Sequence, residues 1–163
     1  MDKIGRTIRR RRREGKTDYK ARLGVIKSSL PRIVIRKTNR YIIAQLVETD
    51  IAQDKIIVSV SSKDLLGKGW PKELEGSLKN LSAAYLTGIL LANKAKKKEK
   101  CILDIGLQRN IHRGRLYATL KGLIDGGMEI PHNQDCLPDE EMLSSNKKTS
   151  EILKTVREKI KHG

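Results

Sequence analysis

Three short segments early in the chain have apolar patterns that are typical of β-strands. Residues 31–37 are β-branched and apolar between basic ends, whereas residues 41–48 and 55–61 place apolar side chains at alternate positions. The four polar residues 37–40 suit a tight turn, so the segments are predicted to form an antiparallel meander. Because successive side chains of a strand point to opposite faces, an inward face is predicted for the second and third segments. These faces hold Ile42, Ala44 and Leu46 in the second segment and Ile56, Val58 and Val60 in the third.

The apolar spacing then becomes helical. Residues 76–94 repeat apolar side chains at the interval of a helix, and Ser77 or Asn80 is predicted to cap its start. A short strand is predicted at 101–105, and a second helix at 114–126 should end at its glycine pair. Since a strand, a helix and another strand form a crossover connection, the strand 101–105 should run parallel to a strand of the meander. Short helices are also predicted at 138–143 and 150–161.

Together these elements predict an α/β fold of the α+β kind. Its mixed sheet is made of the three-stranded antiparallel meander plus one parallel strand, and helices pack against it. The α/β domain is predicted at 30–130, after a basic N-terminal arm at 1–29. A loop and a helical C-terminal extension are predicted at 131–163.

The charge of the chain is concentrated in that arm. The chain has 35 Lys and Arg residues against 19 Asp and Glu residues, a formal net charge of +16. Residues 1–40 carry +12 of this charge, and the other 123 residues carry only +4. So large a charge repels itself unless a polyanion neutralises it, and nucleic acid is the usual polyanion. Because aromatic residues are only 3% of the chain, binding through phosphates and shape is favoured over stacking on many bases.

The arm is the strongest candidate for contact with RNA. Its block of five arginines cannot pack against itself, so we expect it to be disordered in the free protein and ordered on an anion. Guanidinium groups offer a planar fork to phosphate, and a tyrosine ring can stack on an unpaired base. The candidate contacts in the arm are Arg9, Arg10, Arg11, Arg12, Arg13, Lys16, Tyr19, Lys20, Arg22 and Lys27.

Three polar groups in the body are further candidates. The first group consists of Arg32, Arg36, Lys37, Asn39 and Arg40. A rigid strand pair would aim these side chains at an RNA backbone. The second group consists of Ser61, Ser62 and Lys63. Its hydroxyls and exposed backbone amides can bond the phosphate oxygens of an RNA. A helix N-terminus attracts anions, and the third group precedes or opens the helix 114–126 with Arg109, His112, Arg113 and Arg115.

Two more features have both a functional and a structural interpretation. A basic cluster either contacts RNA or offsets the dipole at a helix end, and it consists of Lys94, Lys96, Lys97, Lys98 and Lys100. Trp70 follows a glycine-rich segment and is predicted to close the core rather than to stack on a base. That segment does not have the spacing of a phosphate-cradling nucleotide loop.

The hydropathy and the cysteine usage of the chain argue against its being a membrane protein or a secreted protein. No apolar run approaches the roughly 20 residues of a membrane span. The charged start of the chain does not look like a signal peptide, so a cytoplasmic protein is predicted. Cys101 and Cys136 form no C-x-x-C pair, and we expect both thiols to be reduced and packed.

Catalytic and metal sites are also disfavoured. Asp104 lies in a predicted buried strand without the second carboxylate that a metal nuclease needs, so it should bond nearby backbone or an arginine. His132 and Cys136 are two ligands where a structural zinc site needs four. The sequence therefore predicts no metal, no cofactor and no small-molecule substrate.

Six segments, taken in their order along the chain, resemble one family closely. They are RREGKTDYKARL (12–23), PRIVIRKTNRYIIAQ (31–45), AAYLTG (83–88), ILDIG (102–106), LKG (120–122) and IPH (130–132). The resemblance is to the 5S-rRNA-binding ribosomal proteins, numbered eighteen in the bacterial large subunit and five in the eukaryotic one. The long basic arm and the IPH segment are similar to the archaeal and eukaryotic branch.

This resemblance implies a structural constituent of the large ribosomal subunit. It implies that the arm and the first hairpin bind 5S rRNA and help attach it to large-subunit rRNA, beside neighbouring large-subunit proteins. It also implies an α/β sandwich and no catalysis. The alternatives are a non-ribosomal RNA-binding assembly or regulatory factor and a metal-dependent nuclease.

Overall fold

A computed structural model describes residues 7–50, 53–95, 100–145 and 147–162. In chain order its elements are α1 (Arg10–Arg13), α2 (Tyr19–Lys27), β1 (Arg32–Lys37), β2 (Ile42–Asp50), β3 (Gln53–Ser61), α3 (Leu81–Lys94), β4 (Ile102–Asp104), α4 (Arg115–Asp125), α5 (Glu140–Ser144) and α6 (Lys147–His162). Short 3-10 helices lie at Ser62–Lys68, Lys72–Ser77 and Gln134–Cys136.

The four strands form one mixed sheet in the order β3-β2-β1-β4. β2 pairs antiparallel with both β1 and β3, whereas β4 runs parallel to β1. The crossover through α3 therefore carries the chain from one edge of the sheet to the other. The predicted meander, the predicted parallel strand and the α+β fold class are confirmed.

One face of the sheet is covered by α3 and α4. This face presents Ile33 and Ile35 from β1 and the predicted inward residues Ile42, Ala44 and Leu46 from β2, all buried. α3 is buried along its length from Ser82 to Ala92, because the sheet, α4 and α6 surround it. Val156 and Ile160 of α6 belong to the same core, so the C-terminal helix packs against the body.

The predicted inward face of β3 is only partly correct. Val60 is buried and Val58 is half-buried, but the side chain of Ile56 is 53% exposed. The register shifts opposite Leu46 and Val47, where β3 carries the extra residue Ile57. Such a bulge reverses the alternation of side chains, so Ile56 lies opposite Val47 on the face that α3 and α4 do not cover.

α3 begins five residues later than its apolar spacing predicts. The side chain of Asn80 accepts a hydrogen bond of 2.7 Å from the backbone N–H of Ala83, which caps the helix at Leu81. The preceding stretch Lys72–Ser77 forms a 3-10 helix instead. Of the two predicted caps, Asn80 is therefore the correct one.

α3 and α4 cross with their backbones in contact. A Cβ added at Gly88 would overlap the carbonyl oxygen of Thr119, and one added at Gly122 would overlap the carbonyl oxygen of Tyr85. Only glycine fits at either position, because the obstacle is the facing backbone rather than a movable side chain. These two glycines set how closely the two central helices of the core approach.

Several smaller predictions are confirmed. Trp70 is 2% exposed and donates to the carbonyl oxygen of Leu74, so it closes the core. Both Cys101 and Cys136 are buried. α4 ends at Asp125 with Gly126 as its C-cap, and Gly127 follows with a φ of +92°.

Among the described residues, no helix is long and apolar enough to cross a membrane.

The arm differs from the expectation that its arginine block is disordered. Arg10–Arg13 form one helical turn and Tyr19–Lys27 form a second helix, although neither helix buries a residue. The second helix has a local reason to form, since the Asp18 carboxylate accepts from the backbone N–H groups of Lys20 and Ala21. A capped helix can therefore form in the arm without contributing to the core.

Candidate nucleic-acid interface

Three of the predicted polar segments meet at one end of the sheet. Lys37, the last residue of β1, pairs with Ile42 of β2, and Ser61, the last residue of β3, pairs with Ile43. β4 ends beside Val34 and its loop continues along β1. We call this part of the surface the basic end, and its exposed polar side chains are Lys37, Asn39, Arg40, Lys63 and Arg109.

The hairpin turn at the basic end is held by its own hydroxyl group. The Thr38 side chain accepts from the backbone N–H of Tyr41 and donates to the Tyr41 carbonyl oxygen, each at 2.9 Å. The exposed Asn39 and Arg40 therefore project from a fixed loop. A cleft of about 570 Å³ beside the turn is lined by Asn39, Arg40, Tyr41, Glu75, Gly76 and Lys79.

Gln108 ties the loop after β4 to the end of β1. Its side-chain oxygen accepts from the backbone N–H of Lys37 at 3.0 Å, and its amide nitrogen donates to the Ile35 carbonyl oxygen at 2.9 Å. Both polar atoms of the Gln108 amide thus pair with backbone groups near the end of β1. This places the exposed Arg109 directly after a fixed residue at the basic end.

Ser61 and Ser62 have structural roles that the sequence did not reveal. Ser61 caps the 3-10 helix that follows β3, because its hydroxyl accepts from the backbone N–H of Lys63. In return, the Asp64 carboxylate accepts from the backbone N–H of Ser61 at 3.2 Å. Ser62 is fully buried, and its hydroxyl accepts from the backbone N–H of Ile42 at 3.1 Å. In this structure Ser62 is therefore out of reach of RNA, whereas Lys63 is exposed.

Arg32 is also inside the protein, contrary to its prediction as an RNA contact. Arg32 is 3% exposed, and its guanidinium donates to Asp54 at 2.6 Å and to Asp104 at 2.9 Å. A buried guanidinium needs such partners, because an unpaired charge in the interior is very costly. The predicted bond between Asp104 and an arginine is confirmed, and Asp104 also accepts from the backbone N–H of Gly106.

Asp54 joins the arm to the buried Arg32. Arg22 of α2 donates to the second carboxylate oxygen of Asp54 at 2.6 Å. Partial burial alone would raise the pKa of Asp54, but the hydrogen bond and charge of Arg32 and the charge of Arg22 outweigh it, so the pKa lies below its ordinary value. The carboxylate therefore stays ionised and holds α2 against the sheet.

The arm presents its remaining cations to solvent. The guanidinium of Arg9 lies 4.8 Å from the centre of the Tyr19 ring, which is the distance of a cation–π contact. Glu14 is close to Lys16 at 2.9 Å, but such exposed pairs are weak and phosphate can replace them. The exposed cations of the arm are Arg9, Arg10, Arg11, Arg12, Arg13, Lys16, Lys20 and Lys27.

A cleft of about 560 Å³ separates the arm from the end of β4. We call it the arm cleft. Its walls come from Arg36 of β1, from residues 103–108 and from eight residues of the arm, which are Arg11, Gly15, Lys16, Thr17, Asp18, Ala21, Arg22 and Val25. Arg36 is half-buried, unlike Arg32 two residues earlier on the same strand, and it faces this cleft. The structure thus brings the arm, β1 and the loop after β4 together around one space.

The group at the start of α4 is exposed but partly engaged within the protein. Arg113 has a φ of +56°, its backbone N–H donates to the Cys136 carbonyl oxygen, and its side chain lies 3.3 Å from Asp139. The ring of His112 lies edge-on to Tyr117 with centroids 5.9 Å apart. Burial raises the pKa of the Tyr117 hydroxyl, so it stays neutral beside this group. Arg115 is exposed at the first residue of the helix.

The predicted lysine cluster is described only at its two ends. Lys94 lies 3.8 Å from Asp64, and Lys100 is exposed. Lys96, Lys97 and Lys98 lie outside the described residues. Within the ranges 7–50, 53–95, 100–145 and 147–162, no three His, Cys, Asp or Glu side chains are grouped so as to hold a metal ion.

Three residues matter to this surface and were missed by the sequence reasoning. Asp54 joins two arginines, Gln108 fixes a loop, and Lys79 lines the cleft beside the hairpin turn. Each is an ordinary polar residue in its own segment, and its role depends on partners far away in the chain.

Comparison with known proteins identifies the family. A family model described as "Ribosomal large subunit proteins 60S L5, and 50S L18" matches residues 5–100 and 93–133. The chain belongs to this family. As a member it is a structural constituent of the large ribosomal subunit, which is a cytoplasmic particle, and it is not an enzyme. The nuclease alternative and the non-ribosomal alternative are therefore set aside.

Individual relatives agree with this membership. The protein named large ribosomal subunit protein uL18 in Methanoregula boonei is 45% identical over 157 residues, which cover 91% of this chain and 88% of that protein. Its namesake in Korarchaeum cryptofilum is 49% identical over 82% of this chain and 68% of that protein. The protein of the same name in Methanospirillum hungatei is 47% identical over 134 residues, which cover 81% of this chain and 74% of that protein. All three sources are archaea, in agreement with the resemblance to that branch.

Proposed function

We propose that within the large subunit this protein binds 5S rRNA and helps attach it to large-subunit rRNA, beside neighbouring ribosomal proteins. The observation that carries the proposal is the meeting of separate basic segments on one rigid surface. The arm, the hairpin turn and the loop after β4 are far apart in sequence, yet they are joined through Asp54, Gln108 and the arm cleft. Fixed cations at defined spacings can match the phosphates of one folded RNA.

The proposed contacts are the accessible members of the predicted set that have no structural role of their own. Arg32 and Ser62 are left out because both are buried, and Arg22 and Ser61 are assigned to holding the structure. The remaining side chains are available to phosphates or, for Tyr19, to a base. They are Arg9, Arg10, Arg11, Arg12, Arg13, Lys16, Tyr19, Lys20, Lys27, Arg36, Lys37, Asn39, Arg40, Lys63, Arg109, His112, Arg113 and Arg115.

A competition experiment tests the choice of 5S rRNA. Labelled 5S rRNA bound to the protein is displaced by unlabelled 5S rRNA or by tRNA at several salt concentrations. Non-specific binding consists mostly of counterion release, so the affinity for tRNA should fall faster as salt rises. The ratio of the two affinities should therefore hold or grow. A ratio near one at every salt concentration would overturn the 5S assignment.

A second measurement addresses the attachment to large-subunit rRNA. The complex of protein and 5S rRNA is mixed with large-subunit rRNA, and its co-sedimentation is compared with that of 5S rRNA alone. We expect the protein to increase the amount of 5S rRNA that sediments with the larger RNA. Equal amounts with and without protein would show that it binds 5S rRNA without bridging the two.

A further inference from the structure

The arm cleft has the size and charge of a ligand site. Its volume of about 560 Å³ lies within the range of about 300–1,000 Å³ that is typical of sites for small molecules. Four cationic side chains line it, namely Arg11, Lys16, Arg22 and Arg36. Its two carboxylates are already engaged, because Asp18 caps α2 and Asp104 pairs with Arg32. The cleft is therefore suited to an anion.

Arg36 is held in the cleft by its surroundings. Its Nη1 atom lies 3.3 Å from the Ile35 carbonyl oxygen and 3.5 Å from the Asp104 carbonyl oxygen. Gly106, with a φ of +59°, leaves the space that the guanidinium occupies, since an added Cβ would lie 2.9 Å from Nη1. These contacts engage one nitrogen of the fork. The other nitrogens can donate to a phosphate without a large loss of side-chain entropy.

Part of the remaining lining is apolar. Val25 of α2 is half-buried, and Leu107 of the loop after β4 is 56% exposed, so both offer apolar surface to the cleft. A base or a ribose has flat or apolar faces that pack on such a surface, and its phosphate carries the negative charge that Arg36 and Lys16 attract. The combination of an apolar wall and a fixed guanidinium fits a nucleotide better than a bare phosphate.

We propose that the arm cleft holds one unpaired nucleotide of the bound RNA. Its phosphate lies against Arg36, with Arg11 and Lys16 from the arm, and its base or ribose lies against Val25 and Leu107. A base inside a duplex is paired and stacked, so the nucleotide comes from a loop, a bulge or an end. This inference rests on the proposed function and names one site within it.

A steric variant tests the site without changing any charge. Ala21 is exposed on α2 and lines the cleft, so Ala21→Trp should fill it. Leu23 is 54% exposed on the same helix and does not line the cleft, so Leu23→Trp is the matched control. We expect Ala21→Trp to weaken the affinity for 5S rRNA by about tenfold, the scale of one lost base contact. The control should stay within about twofold of the unmodified protein.

Chemical probing of the RNA supplies a second readout. The 2′-hydroxyls of unpaired nucleotides in 5S rRNA are acylated in the free RNA and in each complex. The unmodified protein and Leu23→Trp should protect a nucleotide that Ala21→Trp leaves reactive, while protection by the hairpin turn persists in all three. Thermal melting of both variants shows that they are folded.

The outcomes separate this inference from the function on which it rests. The nucleotide site is wrong if Ala21→Trp binds 5S rRNA as tightly as Leu23→Trp does. It is also wrong if the unmodified protein and Ala21→Trp protect the same unpaired nucleotides from acylation. Preference for 5S rRNA over tRNA would survive that result, and the proposed function with it. If the unmodified protein shows no preference for 5S rRNA over tRNA, the proposed function is overturned instead.

Discussion

Arg32 of β1 and Asp54 of β3 meet across the intervening strand β2, with a guanidinium nitrogen 2.6 Å from a carboxylate oxygen. Asp104 of β4 pairs with the same guanidinium from the other side. Three of the four strands are thus linked by one buried side chain. Because Arg22 of α2 shares Asp54, the same pair also determines where the arm leaves the body.

Replacing Asp54 by asparagine should destabilise the protein near neutral pH. The change leaves the buried Arg32 with one charged partner instead of two, which should lower the free energy of unfolding by about 1–3 kcal/mol. The control is Asp50→Asn, because Asp50 is an exposed aspartate at the end of β2. Urea unfolding of the three proteins measures the difference, and equal stabilities would show that Arg32 does not need Asp54.

The contribution of Asp54 should depend on pH in a defined direction. Its pKa is lowered in the folded protein, so its stabilisation is complete above the unfolded value of about 3.9 and is lost as pH falls through the folded value. The difference in unfolding free energy between the unmodified protein and Asp54→Asn should therefore be constant from neutral pH down to about pH 4 and shrink below it. A difference that persists unchanged in stronger acid would contradict the ionic role.

Gly88→Ala should destabilise the core. The new methyl group would overlap the Thr119 carbonyl oxygen, so α3 and α4 must separate, at a cost of about 1–3 kcal/mol or more. Gly24→Ala is the control, because Gly24 lies in a helix with open space around it and alanine favours helix by about 0.5–1 kcal/mol. Thermal melting should show a lower midpoint for Gly88→Ala and an unchanged or higher one for Gly24→Ala.

Removal of residues 1–17 should separate binding from stability. The deletion removes eight of the 35 Lys and Arg residues but keeps Asp18 and Arg22, which cap α2 and hold it to the sheet. The melting temperature should change by less than about 3 °C, while the affinity for 5S rRNA falls by about 100-fold. An unfolded product would mean that the arm is part of the structural core.

Arg36→Ala combined with Arg40→Ala should weaken RNA binding and its salt dependence together. Each phosphate contact that is lost should flatten the slope of log K against log salt by somewhat less than one unit. Lys72→Ala with Lys154→Ala removes the same charge from exposed positions outside the proposed contacts. Filter binding over a salt series should show the flatter slope in the first variant, and identical slopes in both would show that position does not matter.

The sequence predicted most of the fold because its signals were local. A β-branched apolar run between basic ends predicted β1, alternating apolar side chains predicted β2, and the change to helical spacing predicted α3 and α4. The bulge at Ile57 was not predictable, since it depends on how β3 aligns with Leu46 and Val47 of another strand. The division of the chain at residues 30 and 131 stays a prediction.

The candidate site was less predictable than the fold. Arg32 and Arg36 look alike in the sequence, both beside apolar residues of one strand. Only the tertiary partners distinguish them, because Asp54 and Asp104 are 22 and 72 residues from Arg32. A buried arginine and an accessible one therefore cannot be separated by pattern alone, whereas the arm, whose cations have few neighbours, could be assigned from charge.

The bulge in β3 affects the tendency of the protein to aggregate before it binds RNA. β3 is at the edge of the sheet and exposes Ile56 and Ile57, which would invite another strand to pair with it. The extra residue interrupts the regular ladder there, and the exposed Lys55 adds a charge that a second strand must desolvate. Both features oppose edge-to-edge aggregation of newly made chains during the interval between synthesis and assembly.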